Sequence, residues 1–317
     1  MASTMIITLP ETTIARILKE LQRARDEGGA VALGRVLTLV ITTTHDKEEQ
    51  VIAAANEASR EHPMRIIVLS EVTAGTVDNV LDAEIRLGGD AGASEVIILR
   101  GSGDMMGDPQ GLINGLLLPD APMVAWWPDT CPENMAGTSL GQVAGHRIAD
   151  TITATNPLEL LDIMTRCYVP GDVDLGWTRI TLWRAQLAAA LDSSQQSPIL
   201  SAKVSGAQDS SSPILLAAWL RAALAVPVTL ELAEPNEMGS IMRAEIVRED
   251  GSVVLERTEP GFARLLQPGQ PDHVISLPLR TLGDCIAEEL RRLDPDVVFG
   301  RVLVEGMPAL LAENTSI

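Results

Sequence analysis

Gly101-x-Gly103-x-x-x-Gly107 follows an apolar run and precedes a helical pattern, where closely spaced glycines let backbone amides approach a pyrophosphate. The spacing is one residue longer than the dinucleotide fingerprint, and no acidic residue ending a following strand supplies a ribose contact, so a plain strand-to-helix turn is favoured. Gly137-Thr138-Ser139-Leu140-Gly141 has the letters of a nucleophile elbow, but Cys131-Pro132-Glu133-Asn134 before it is no buried strand. His45, His62, His146 and His273 are dispersed, and Cys131, Cys167 and Cys285 form no Cys-x-x-Cys. No catalytic, cofactor-binding or metal-binding residue is expected.

Two stretches offer binding chemistry instead. Asp209-Ser210-Ser211-Ser212-Pro213 opens a long apolar helix, and such a start has free amides and a partial positive charge. An ordinary N-cap with Pro at N1 is the favoured reading, and anion binding at Ser210, Ser211 and Ser212, for a sugar-phosphate effector, is the second. Trp126-Trp127-Pro128 ends an apolar run, and Trp177-Thr178-Arg179 leads to Trp183-Arg184. Trp and Arg dominate contact energy at protein interfaces, so these positions are expected either to meet a partner or to pack two domains together.

The elements that must position these residues form two sets. A helix is predicted from about 9 to 27, with Thr8 and Glu11 as a capping box and Gly28-Gly29 as its stop. Strands at 35–42 and 64–70, separated by a helix to about 61, make a βαβ unit. Ala83 to Leu87 alternates like a half-exposed edge or antiparallel strand, Glu95 to Leu99 is a buried run, and Ala121 to Trp126 is a fifth strand. The first domain, 1–155, is therefore expected to be α/β with a mixed, mostly parallel sheet and flanking helices. The second, 156–317, begins near Asn156-Pro157 and is expected to be α+β. Its helices lie at 157–167, 177–191, 212–224 and 281–293, a strand at 199–204, and an antiparallel meander from Val228 to Leu277, before an apolar tail.

Composition bounds the partners. The 317 residues carry 43 Asp and Glu against 24 Lys and Arg, a formal charge of -19, with only Lys19, Lys47 and Lys203 as lysines. Nucleic acid and anionic lipid are disfavoured by that charge. The longest apolar run, Ile214 to Val226, is broken by Arg221 and falls short of the ~20 residues of a membrane span. Scattered cysteines and an N-terminus without signal-peptide features place the chain by default in the cytoplasm. With 46% hydrophobic residues it folds, yet only eight are aromatic and five of those are Trp, so their placement carries information.

Several stretches together resemble a family. Met64-Arg65-Ile66-Ile67-Val68-Leu69, Glu84-Ile85-Arg86-Leu87-Gly88-Gly89-Asp90, Leu117-Leu118-Pro119-Asp120-Ala121-Pro122, Ala125-Trp126-Trp127-Pro128, His146-Arg147-Ile148-Ala149-Asp150-Thr151 and Trp177-Thr178-Arg179 look like the OpcA-type glucose-6-phosphate dehydrogenase assembly proteins of bacteria. The resemblance covers both domains, and a Pro would be expected where Leu182 stands. It implies a non-catalytic partner that promotes the active oligomer of glucose-6-phosphate dehydrogenase and so supports the oxidative pentose phosphate pathway and NADPH supply. Arg147 and Asp150 then join Trp126, Trp127, Pro128, Trp177, Arg179, Trp183 and Arg184 as expected partner-binding or domain-junction positions.

Overall fold

The computed structural model describes residues 5–27, 36–71, 80–88, 95–102, 106–193 and 197–314. The chain divides into two units, Met1–Asp150 with Thr281–Asp294, and Thr151–Arg280 with Pro295–Ile317.

In the first unit the elements run β1 (Met5–Leu9), α1 (Ile14–Glu27), β2 (Leu37–Thr44), α2 (Glu48–Ala58), β3 (Met64–Glu71), β4 (Leu81–Leu87), β5 (Glu95–Gly101), α3 (Pro109–Ile113), β6 (Met123–Trp127), α4 (Ser139–Val143) and β7 (His146–Ala149). The strands lie in the order β1-β4-β5-β3-β2-β6-β7. Neighbours from β5 through β7 are parallel, whereas β4 is antiparallel to both β5 and β1. The parallel strands are continuous apolar runs because both faces are covered, as in β3, buried from Met64 to Ser70. Between β3 and β5, a buried Arg65–Glu95 ion pair at 2.7 Å keeps the interior cation matched.

Three expectations shift. The first helix begins at Ile14 rather than near 9, since Met5–Leu9 pairs as a strand with β4 from Met5↔Leu87 to Leu9↔Ala83. Pro10 and a left-handed Glu11 (φ 43°) turn the chain between them, and the Thr13 hydroxyl accepts from Arg16 N–H at the true helix start. That extra strand also means β4 is not an edge. The helix stop at Gly28-Gly29, Gly103 of the glycine loop, and Gly89 and Asp90 of the family-like stretch lie outside the described residues.

The second shift concerns the domain boundary. The helix Leu282–Arg291 (α9), expected in the second domain, belongs to the first unit and packs on α2. Its buried face is Cys285, Ile286, Ala287 and Leu290, and the His62 ring nitrogen meets the Ala287 carbonyl at 3.1 Å. Asn156-Pro157 is an N-cap rather than a break, because Asn156 accepts from the Glu159 N–H, and the units divide at Asp150.

The second unit contains α5 (Pro157–Cys167), β8 (Asp172–Asp174), α6 (Leu175–Arg179), α7 (Thr181–Ser193), β9 (Ile199–Ala207), α8 (Ser211–Leu224), β10 (Val228–Ala233), β11 (Ile241–Arg248), β12 (Gly251–Glu259), β13 (Phe262–Leu266), β14 (His273–Ser276), α10 (Val297–Arg301) and α11 (Met307–Glu313). Its six-stranded sheet has the order β10-β9-β11-β12-β13-β14. The meander holds from β11 onward, but β10 is parallel to β9, since α8 carries the chain across as a βαβ crossover. The apolar tail is helical, with a π-turn at Val302–Gly306 between α10 and α11. A Cβ at Gly306 would lie 2.3 Å from the Ala218 carbonyl oxygen, so only glycine lets the π-turn approach α8 this closely.

Candidate functional site

The expected tryptophans are core residues. Trp126, Trp127, Trp177 and Trp183 are all buried, and in a chain with so few aromatics they supply the largest packing volumes. On β6, Trp126 leaves its indole N–H without a hydrogen-bond partner. In the second unit the Trp177 indole N–H donates to Asp296 Oδ2 at 2.8 Å, its ring lies 5.6 Å from Phe299, and the Arg184 guanidinium sits 3.5 Å above it. Arg257 lies 5.5 Å from the Trp183 ring. Arg147 is buried too, donating to the Ala144 carbonyl at 2.7 Å, and Asp150 is buried with its N–H bonded to the Trp127 carbonyl at 3.3 Å. Trp126, Trp127, Pro128, Arg147, Asp150, Trp177 and Trp183 are thus buried, whereas Arg179 and Arg184 are half-buried.

The serines at the start of α8 are already committed. Ser210 is the N-cap, its hydroxyl accepting from Ser212 N–H at 3.2 Å, so a serine cap is present but the helix starts at Ser211 and Pro213 stands at its third position rather than its first. Ser211 donates to Asp174 Oδ1 at 3.2 Å. That fully buried carboxylate also receives Gly176 N–H at 2.8 Å and, on its two oxygens, the Thr151 N–H and hydroxyl at 2.9 and 3.0 Å. The anion beside this helix start is thus one of the chain's own, and Ser212 borders a cavity.

That cavity, about 210 Å³, lies within the second unit. It is bordered by Arg179, Arg257 and Arg280, with Trp183, Ile241 and Leu279 among its apolar walls, and none of the described residues lining it is acidic. Arg280 donates to the Thr178 carbonyl at 3.0 Å, and Arg257 donates to the Leu277 carbonyl at 2.6 Å. Burial pushes the Arg257 pKa below the usual arginine value. Sequence reasoning singled out Arg179, Trp183 and Ser212 here but missed Arg257, which β12 carries to the cavity, and Arg280, which the return of the chain after β14 brings there.

The second feature is a sheet face. Registers place Ala202, Val204, Ala244, Ile246, Val253 and Leu255 on the buried side, where α8 packs on β9 and α7 meets β12. The alternate positions carry a charged row: Glu231 of β10, Lys203 of β9, Glu245 and Arg243 of β11, Glu256 of β12 and Arg264 of β13. Lys203–Glu231 at 2.6 Å, Arg243–Glu245 at 3.0 Å, Arg243–Glu256 at 2.6 Å and Arg264–Glu256 at 3.3 Å link it across the strands. Burial would lower the Arg243 pKa, but its two glutamate partners more than offset this and raise it. The Ser252 hydrogen bond, with help from Arg243, holds Glu245 below the usual carboxylate range. Toward the edge the same face exposes Phe262 and Val274. The row was written in the alternation of Ile241 to Arg248, a signal the sequence reading used only to find a strand.

A family model described as the glucose-6-phosphate dehydrogenase subunit N-terminal domain matches residues 55–166, and one described as the C-terminal domain of the same subunit matches residues 170–303. Among curated proteins, none matches. Solved structures with a similar course include levoglucosan dehydrogenase in complex with NADH and L-sorbose, at 10% identity and TM-score 0.49, covering 88% of this chain and 97% of that one. Biliverdin reductase from Synechocystis sp. PCC 6803, with biliverdin and NADP+, is 11% identical at TM-score 0.44, covering 87% and 98%. An inositol dehydrogenase homolog from Azotobacter vinelandii, with NADH and myo-inositol, is 11% identical at TM-score 0.43, covering 88% and 89%. At these identities and TM-scores neither cofactor nor activity passes to this chain.

Proposed function

The chain belongs to the OpcA family of glucose-6-phosphate dehydrogenase assembly proteins, and from that premise we propose that it binds glucose-6-phosphate dehydrogenase and favours the enzyme's active oligomer without a reaction of its own. The observation that carries this reading is the pair of family matches, 55–166 and 170–303, which together take in most of both units. A protein that acts this way needs only to bind the active assembly better than the inactive one, since that difference shifts the equilibrium. Its setting is the cytoplasm, where it supports the oxidative pentose phosphate pathway and NADPH supply; no helix among the described residues is long and apolar enough to cross a membrane.

The charged row on the six-stranded sheet is the surface suited to that contact. A rigid sheet holds its side chains at fixed spacing, and alternating signs select a partner of matching pattern while penalising a shifted one. Phe262 and Val274 supply exposed apolar area beside it. The experiment is size-exclusion chromatography of the cognate dehydrogenase with and without this protein, with dehydrogenase activity measured on the same fractions. Co-elution with a raised specific activity supports the reading; separate elution with unchanged rate defeats it.

A further inference from the structure

We propose that the arginine-bordered cavity of the second unit is a binding site for the phosphomonoester of a small metabolite, its phosphate held by Arg179, Arg257 and Arg280. Arg257 carries the argument. It is 6% exposed, its Nε has no hydrogen-bond partner, and one terminal nitrogen donates to a neutral carbonyl, that of Leu277. A guanidinium stays charged in proteins, so a buried one with an unused donor beside a cavity calls for an anion.

The lining argues the same way. In a chain with 43 acidic residues against 24 basic ones, a cavity with three arginines and no acid among its described lining residues runs against composition. A phosphate dianion offers the oxygens and the charge that several guanidinium forks can share. The volume, about 210 Å³, lies below the ~300–1,000 Å³ of sites for larger ligands, which suits a compact sugar or acyl phosphate and excludes a dinucleotide. Trp183 and Ile241 provide an apolar wall for the carbon skeleton. Gly239, at φ 119°, keeps this wall open: a Cβ there would lie 3.0 Å from Leu279 Cδ2 and 3.8 Å from Arg257 Nε.

The site does not rest on the assembly role, and its test omits the dehydrogenase, so the two readings fail separately. Isothermal titration calorimetry would use glucose 6-phosphate as probe, with glucose as the uncharged control and inorganic phosphate as competitor, on wild type, Arg257→Met and Arg280→Gln. Circular dichroism checks that each variant is folded. Wild type should bind glucose 6-phosphate at least about tenfold more tightly than glucose, phosphate should compete, and each arginine variant should weaken binding about tenfold or more. Silence toward both glucose 6-phosphate and inorganic phosphate at millimolar concentration overturns the proposal, as does wild-type binding by the variants. Should Arg257→Met fail to fold, Arg280→Gln decides.

Discussion

Trp126 and Trp177 are both fully buried, yet their indole N–H groups meet different fates: the first has no partner, the second donates to the Asp296 carboxylate at 2.8 Å. Hydrogen bonds to charged groups contribute about 1.5–3 kcal/mol, and an unsatisfied buried donor contributes nothing of that kind. Trp177→Phe is therefore expected to destabilise by about 1–2 kcal/mol more than Trp126→Phe, after similar losses of ring volume. Urea denaturation of the two variants measures it; equal losses would show that the Trp177–Asp296 bond contributes little. Residue type was a poor guide to exposure here. Trp and Arg do mark interfaces, but Phe299 and Asp296, which complete the Trp177 cluster, stand more than a hundred positions away and leave no local mark. The serines were legible as a cap because capping is a local hydrogen bond.

Ala225 ends α8 in the left-handed conformation (φ 56°, ψ 31°), its N–H bonded to the Arg221 carbonyl. Only glycine enters that region without a Cβ clash, and this side chain is exposed, so Ala225→Gly should stabilise the protein by about 1 kcal/mol. A lower Tm for the variant would contradict this. In the first unit, Glu48 and Glu49 of α2 meet Arg100 of β5 and Arg86 of β4, with Glu84 between the arginines. For Glu48 and Glu84 burial alone would raise the pKa, but hydrogen bonds, chiefly from arginine, more than offset it, and both lie below the usual carboxylate range. Groups whose folded pKa is depressed stabilise above their ordinary value, about 4.3, and lose that contribution as pH falls through the lower folded value. Stability should thus drop below about pH 4, and Glu48→Gln should flatten that acid limb in denaturation curves across pH. An unchanged limb would remove Glu48 from the account. Elements carried by local pattern, such as Ile241–Arg248 and Pro157–Cys167, were legible at their ends. β1 was not, because its alternating residues become a strand only against β4, some 80 positions on, and Leu182 stands in the first turn of α7, where proline is also tolerated.

For the molecule as a whole, α9 leaves the second unit's stretch of sequence to pack on α2, so the first unit is discontinuous and cannot be cut out as one contiguous piece. Contiguous domains were the natural expectation from composition, which records no pairing between distant helices. The charge of -19 disfavours some partners but selects none; the sheet face with Lys203, Arg243, Glu245, Glu256 and Arg264 is a patterned surface of the kind the proposed contact requires. A contact made through this face would be electrostatic, so the proposed complex should weaken as salt rises from low to physiological strength. The most direct measurement is the rate of glucose-6-phosphate dehydrogenase titrated with wild-type protein and with the folded double variant Arg243→Glu, Arg264→Glu. The account predicts that wild type raises the rate to a plateau and that the variant needs about tenfold or more protein to approach it. Identical titration curves, or a dehydrogenase rate that neither protein changes, would contradict it.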